Sequence, residues 1–360
     1  MSRKLLGGLA ATAAIAASLA TAGTAGATTN ATTNATTART AVVSSTVRLT
    51  PEVARTLNGA GPAAEQQALA RYWTPARMKA ARSDSELPAL KSVATRSLRA
   101  LSVRTTATAP QGPATRIAPA APRTTPKVLT RTRTVRPMAS YPGYPVGHPV
   151  ARTSGKVFFS SFGQNYVCSA TVVNSEGKSE VWTAGHCVSD GKAWNSNWAF
   201  VPNYVNGSAP YGYWNAKQLF TTTAWFNNNN DFSNDVGAVV IYRNSGGWRI
   251  SDYLGGQGIS WNYPLSYMHA FGYPQASPFT GAYLTTEEGS TTKYGNDIYM
   301  TNYMTGGSSG GGWLKSFDGQ WGYINGHNDY KYDNLPQYMF SPYYGNQVKD
   351  LYNTVRGISS

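Results

Sequence analysis

The pattern of hydrophobic and polar positions changes abruptly near Tyr141. Beyond it, short apolar runs rich in Val, Tyr, Phe and Thr alternate with clusters of Gly, Asn, Ser and Pro, the punctuation of a β protein. These runs predict strands over 156–160, 166–173, 180–184, 199–201, 236–242, 268–271, 298–301 and 322–325. Almost no helical period separates them, which points to an all-β barrel or sandwich. One exception lies at the C-terminus, where Val348, Leu351, Tyr352 and Val355 recur at i, i+3, i+4 and i+7. That spacing predicts a single amphipathic helix, with Gly357 as its stop. The roughly 220 residues of this region suffice for a pair of packed barrels with a real core.

The first third of the chain has no such pattern. Met1-Ser2-Arg3-Lys4, an apolar run from Leu5 to Ala20 and then Ala25-Gly26-Ala27 form the three parts of a secretory signal peptide, with cleavage expected after Ala27. The run is too short and alanine-rich for a spanning helix of ~20 residues, and no second one follows, so no stable membrane anchor is expected. From Thr28 to Arg136 the chain is rich in Ala, Thr, Arg and Pro, with Tyr72 and Trp73 its only large aromatic residues. Such a stretch offers little apolar surface against its chain entropy and predicts a largely disordered pro-segment. A helical portion is expected over 63–82, interrupted by Pro75. Prolines at 110, 113, 119, 122, 126 and 137 read as an extended linker. The expected organisation is a signal peptide at 1–27, a basic pro-segment and linker at 28–136, and a folded β domain at 137–360, with processing after Arg131, Arg133 or Arg136.

The net charge of +14 would suggest a polyanionic partner if it were spread over the chain. Residues 1–136 hold 19 Lys/Arg against 4 Asp/Glu, and the remainder is nearly neutral at −1. No nucleic-acid surface is therefore expected on the β region. An arginine-rich arm that binds polyanions is a rival reading of the first third; a pro-segment is preferred because the neutral region carries the chemistry. In an oxidising compartment the two cysteines allow one intramolecular pairing, Cys168–Cys187. One cysteine pair beside one histidine is an incomplete zinc shell, and neither a metal nor a cofactor is expected.

That chemistry lies in two stretches, Thr183-Ala184-Gly185-His186-Cys187 and Gly307-Ser308-Ser309-Gly310-Gly311, whose His186 and Ser309 are 123 residues apart. A serine hydroxyl becomes a useful nucleophile only beside an imidazole base that a carboxylate orients. Asp231 and Asp235 both lie between the two stretches, and Asp235 immediately precedes an apolar run. The segments resemble the histidine, aspartate and nucleophile segments of the chymotrypsin/trypsin-like serine proteases, of secreted bacterial type and distantly similar to glutamyl endopeptidases. The resemblance covers roughly Ser154 to the C-terminus. It implies two packed six-stranded antiparallel barrels with the site between them and a C-terminal helix. It also implies a triad of His186, Asp235 and Ser309, with the amides of Gly307 and Ser309 as the oxyanion hole.

Aligning Gly-x-Ser-Gly-Gly sets aside Ser308, where many family members carry an Asp that pairs with a freed N-terminus; activation through that ion pair is not expected here. Tyr303 and Met304, six and five residues before the serine, and His327 after it fall on the family's specificity-pocket positions. With no carboxylate at Tyr303, no preference for Lys or Arg is expected. His327 reads as a surface-loop residue in preference to a ligand for an acidic side chain. The resulting expectation is a secreted, monomeric serine endopeptidase, made as a precursor, whose partners are protein or peptide substrates and its own pro-segment. Two alternatives stand beside it: a catalytically silent trypsin-fold binding protein, and a serine esterase. The esterase would use Gly307-x-Ser309-x-Gly311 as a nucleophile elbow, which needs a following helix and the order Ser309, Asp318, His327.

Overall fold

All the predicted strands form, and the N-terminal third adds further elements to them. The computed structural model describes residues 39–96, 111–129 and 144–360. Its first third contributes β1 (Val42–Thr46), α1 (Pro51–Ala54), α2 (Pro62–Tyr72), α3 (Pro75–Ala80), β2 (Arg82–Ser83), α4 (Pro88–Ala94) and β3 (Thr115–Ile117). There follow α5 (Pro149–Thr153), β4 (Ser154–Ser161), β5 (Gln164–Val173), β6 (Glu180–Thr183), β7 (Ser196–Pro202), β8 (Trp214–Thr222), α6 (Thr223–Asn227), β9 (Gly237–Ile241) and α7 (Ile250–Leu254). The remainder comprises β10 (Gly258–Trp261), β11 (Tyr267–Gly272), β12 (Thr285–Ser290), β13 (Thr292–Tyr294), β14 (Asp297–Thr301), β15 (Gly312–Lys315), β16 (Tyr323–His327), β17 (Tyr338–Pro342) and α8 (Asn346–Val355).

Strands β8, β7, β4, β5, β6 and β9 pair in that order, and β9 returns to β8, closing a six-stranded antiparallel barrel. All eight residues of β4 are buried, so the strand lacks the polar alternation of a half-exposed sheet. Val157 and Phe159 enter one apolar cluster and Phe158 another, which shows that both faces are covered. Five strands of the C-terminal half join β3 of the first third in a six-stranded sheet, in the order β12-β11-β15-β16-β10-β3, beside a three-stranded sheet β13-β14-β17. Within the six-stranded sheet β10 and β16 run parallel. Val348, Leu351, Tyr352 and Val355 are all buried on α8, and the helix ends at Val355, two residues before the expected stop.

Residues 39–96 depart from the expected disorder. Pro75 begins α3 after α2 has ended at Tyr72, as its fixed φ and missing N–H favour. The segment has too few large side chains for a core of its own. Instead it places Val53, Leu69, Trp73 and Met78 in the same cluster as Phe158, Val167 and Tyr204. Strand β1 pairs with β8, and β2 pairs in parallel with β5. The expected signal peptide and the three arginine processing positions lie outside the described residues. Among those described, no helix is long and apolar enough to cross a membrane.

Trp73 fixes this docking: it is fully buried, its ring lies 5.5 Å from that of Phe158, and its Nε1 donates to Asn197 O at 2.8 Å. Trp73→Ala should cost about 3–5 kcal/mol of full-chain stability, measured by denaturant unfolding. An unchanged midpoint would contradict the docking.

Candidate active site

The ladder between β6 and β9 pairs Thr183 with Gly237, so the loop after β6 and the turn before β9 emerge side by side. His186 lies in the first and Asp235 in the second, both buried. Asp235 Oδ1 accepts from the main-chain N–H of His186 at 2.7 Å, and Oδ2 lies 2.8 Å from His186 Nδ1. Gly185 makes this approach possible, since a Cβ there would come within 2.6 Å of Asp235 Oδ1. Asn195 Nδ2 donates to His186 O at 3.2 Å. The Cys168–Cys187 disulfide ties the next residue to β5. Asp231 turns away and accepts from Asn234 Nδ2 at 2.9 Å, which distinguishes the two candidate carboxylates.

The serine loop is held against the same barrel by polar contacts that no sequence motif announces. Ser169 on β5 donates its N–H to Ser309 O at 2.7 Å and its hydroxyl to Gly307 O at 2.9 Å. Asn328 Nδ2 donates to Ser308 O at 3.2 Å and to Phe271 O at 3.0 Å. Gly307 has φ +98°, and a side chain there would meet Tyr273 O and Gln275 N at 2.7 and 2.9 Å; only glycine suits such a position. Ser309 is 4% exposed, and its Oγ donates to Asp329 O at 3.2 Å. Ser308 points inward, donating its hydroxyl to Thr305 O at 2.8 Å. A strand, β15, follows the loop, so the helix required by a nucleophile elbow is missing.

Two carboxylates that lie in no recognisable motif complete the cluster. Asp84, just after β2, is fully buried; its Oδ1 accepts from Gly307 N at 2.5 Å and its Oδ2 lies 3.3 Å from His186 Nε2. The ring therefore faces Asp84, and among the described residues neither of its nitrogens bonds Ser309. Burial pulls the pKa of His186 down, but Asp235 and Asp84 together outweigh it and raise it to about 9, so the ring is an imidazolium at neutral pH. Asp329 Oδ1 lies 3.6 Å from His186 Nδ1. Burial first, then the negative charges of Asp235, Asp297 and Asp84, push the Asp329 carboxyl well above the usual range.

Two of the solved structures to which the chain is similar are proteases. The chain is 36% identical to the protease Anisep from Arthrobacter nicotinovorans, with a TM-score of 0.55, over 58% of this chain and 98% of that one. It is equally 36% identical, with a TM-score of 0.54, to a thermostable serine protease, AL20, from an extremophilic microorganism, over 57% of this chain and 97% of that one. The chain belongs to the chymotrypsin/trypsin-like serine proteases. No protein-family model matches the sequence, and no curated protein matches it.

The protease places the three expected pocket residues in unlike surroundings. Tyr303 is 56% exposed, while Met304 is fully buried among Met268, Met300 and Trp313. His327 corrects the surface-loop reading: it ends β16 fully buried, its Nδ1 is 2.9 Å from the Tyr344 hydroxyl, and burial lowers its pKa to about 4. The structure does not bring these three together as one pocket. His186, Asp235 and Asp329 hold donor atoms within 4.8 Å of one another, but His186 Nδ1 and Asp235 already use theirs on each other.

A carboxyl whose folded pKa is raised contributes stability below its unfolded pKa of about 3.9 and loses it as pH rises toward the folded value. Asp329→Asn removes that penalty. The melting temperature of the variant relative to the native protein should therefore rise by at least roughly 2–4 °C between pH 4 and pH 8, read by thermal unfolding. A difference that stays flat with pH would show that Asp329 is not held protonated.

Proposed function

We propose that the protease is a serine endopeptidase, made as a secreted precursor with a signal peptide at 1–27 and a pro-segment at 28–136 ahead of a catalytic domain at 137–360. The observation that carries the reading is the two-point grip of Asp235 on His186 beside a glycine-cradled serine. His186, once its Nε2 is free and neutral, takes the proton of Ser309 Oγ as that oxygen attacks the scissile carbonyl carbon. Asp235 holds the tautomer and supports the imidazolium. The main-chain N–H groups of Gly307 and Ser309 receive the oxyanion. The imidazolium then returns its proton to the leaving amine, and the acyl-enzyme forms. Water, deprotonated by His186, releases the acid and restores Ser309.

The precursor reading is supported by coverage: the two similar proteases are matched over 98% and 97% of their lengths while spanning only 58% and 57% of this chain. An oxidised cysteine pair suits export. Substrates are proteins or peptides, and the protease acts as a monomer. His327 is already bonded within the core, which weighs against its binding an acidic side chain.

In the processed protein, Ser309→Ala should abolish labelling by a serine-directed fluorophosphonate, and Asp235→Asn should lower kcat by about 10⁴ through loss of the correct tautomer. Labelling that persists in Ser309→Ala would refute the nucleophile assignment.

A further inference from the structure

The segment from Ala81 to Ala94 lies across the catalytic centre, held on both sides of it. Before the centre, Arg82 and Ser83 pair with Tyr166 and Val167, and Gln275 Nε2 donates to Ala81 O. Gln275 is itself held by Lys156, a buried ammonium whose Nζ donates to Gln275 Oε1 at 2.5 Å and to Gly281 O at 2.9 Å. After the centre, Leu87 enters the apolar cluster of β5, and Ala89, Leu90 and Val93 of α4 pack with Trp225, Phe232 and Tyr330. Asp333 N donates to Ala94 O at 2.9 Å. Gly306 accommodates the crossing, since a Cβ there would collide with Ser83 and Ser85.

We propose that this segment is an inhibitory ligand of the protease's own cleft, with the Asp84 carboxylate bound in place of the reaction's oxyanion, and that the cleft accepts the same segment as a separate peptide. The proposal rests on the roles given above to His186, Ser309 and Gly307. Three observations bear on it. Gly307 N, the donor expected to receive developing negative charge, is already bonded to Asp84 Oδ1 at 2.5 Å. His186 Nε2, the atom that must take the serine proton, faces Asp84 Oδ2 at 3.3 Å. What enters the site is a side-chain carboxylate rather than a peptide carbonyl. It offers the donors the negative oxygen they are arranged to bind, but its carbon is a poor electrophile with no amine to expel. The segment occupies the centre without presenting a bond to cut.

Protonation follows from the same contacts. The groups facing His186 are Asp84, Asp235 and Asp329, with His327 nearby on β16. An imidazolium has no lone pair on Nε2 for the proton of Ser309, so the closed form lacks its base as well as its oxyanion donor. A histidine whose pKa is raised by a ligand supports binding fully below its unliganded pKa and loses that support as pH rises through the liganded value, here about 9. The block should weaken with alkalinity over that range.

Fluorophosphonate labelling of the intact, unprocessed chain provides the test, scored on the full-length band for the native sequence, Asp84→Asn and Asp84→Ala. Both variants should label at least about tenfold faster than the native chain at pH 7, and the native chain should label faster as pH approaches 9. Equal rates in all three would overturn the proposal. A peptide spanning residues 75–96, added to the processed protein, guards against a variant that misfolds. It should inhibit competitively, at least about tenfold more tightly than its Asp84→Asn counterpart, and indistinguishable peptides would also overturn it. If the processed native protein itself fails to label at Ser309, the protease reading has failed and the proposal with it. If it labels while the Asp84 changes have no effect, only the proposal has failed.

Discussion

One carboxylate holding one residue at two points sets the geometry of the centre. Asp235 binds the main-chain N–H of His186 with one oxygen and the imidazole Nδ1 with the other. A single bond to the ring would leave the backbone free to pivot; the second bond removes that freedom. The grip also depends on barrel closure. His186 and Asp235 meet because Thr183 and Gly237 are paired across the β6–β9 ladder, and β9 is the strand that returns to β8 and shuts the barrel. A shift of register in that ladder would move the carboxylate away from the ring, so the packing of Val181, Val239 and Ile241 in the barrel constrains the site as firmly as its polar contacts.

Around that grip the charges are arranged so that few remain unpaired. The imidazolium lies between Asp84 and Asp235, and burial together with the neighbouring negative charges holds the third carboxyl, Asp329, well above its usual range, which favours its uncharged form. A buried ion loses several kcal/mol of hydration unless good geometry repays it, and here one cation has a carboxylate at each ring nitrogen. His327 contributes no competing positive charge, because burial holds its pKa near 4. Withdrawing Asp84 would leave a neutral-capable imidazole still oriented by Asp235. Asp84 comes from the N-terminal third, and Asp235 and Asp329 come from the β region.

Much of this was legible in the sequence, for identifiable reasons. The strands at 166–173 and 236–242 stand out because branched and aromatic residues dominate them and no charged residue interrupts them. β8 did not, because Lys217 and Gln218 interrupt its apolar face, and β12 is almost wholly polar in Thr-Thr-Glu-Glu-Gly-Ser. His186, Asp235 and Ser309 are readable as candidates because each lies in a local motif, and Gly185 and Gly307 in those motifs have a mechanical purpose. Ser169, Asn328, Asp329 and Asp84 have no such local signature. They act by contacts made across large sequence separations, 223 residues in the bond from Gly307 to Asp84, and a motif search has no access to those.

Over 39–96 composition misleads for the same reason. Low apolar content predicts disorder when a segment must build its own core, and this one uses a surface supplied by another part of the chain. Val53, Leu69, Trp73 and Met78 contribute to a cluster whose larger share comes from the β region. Most of the docking is therefore distributed over apolar contact and strand pairing, and among the described residues of the segment Asp84 alone bonds His186 and Gly307. That division has a consequence for release. Cutting the chain between 129 and 144 would leave the contacts of 39–96 and the pairing of β3 with β10 in place; it would convert an intramolecular association into a bimolecular one and so remove its effective concentration. A segment with little core of its own then loses both its tether and, once it leaves, the surface that ordered it. Its ordering entropy counts against rebinding, and dilution favours the open cleft.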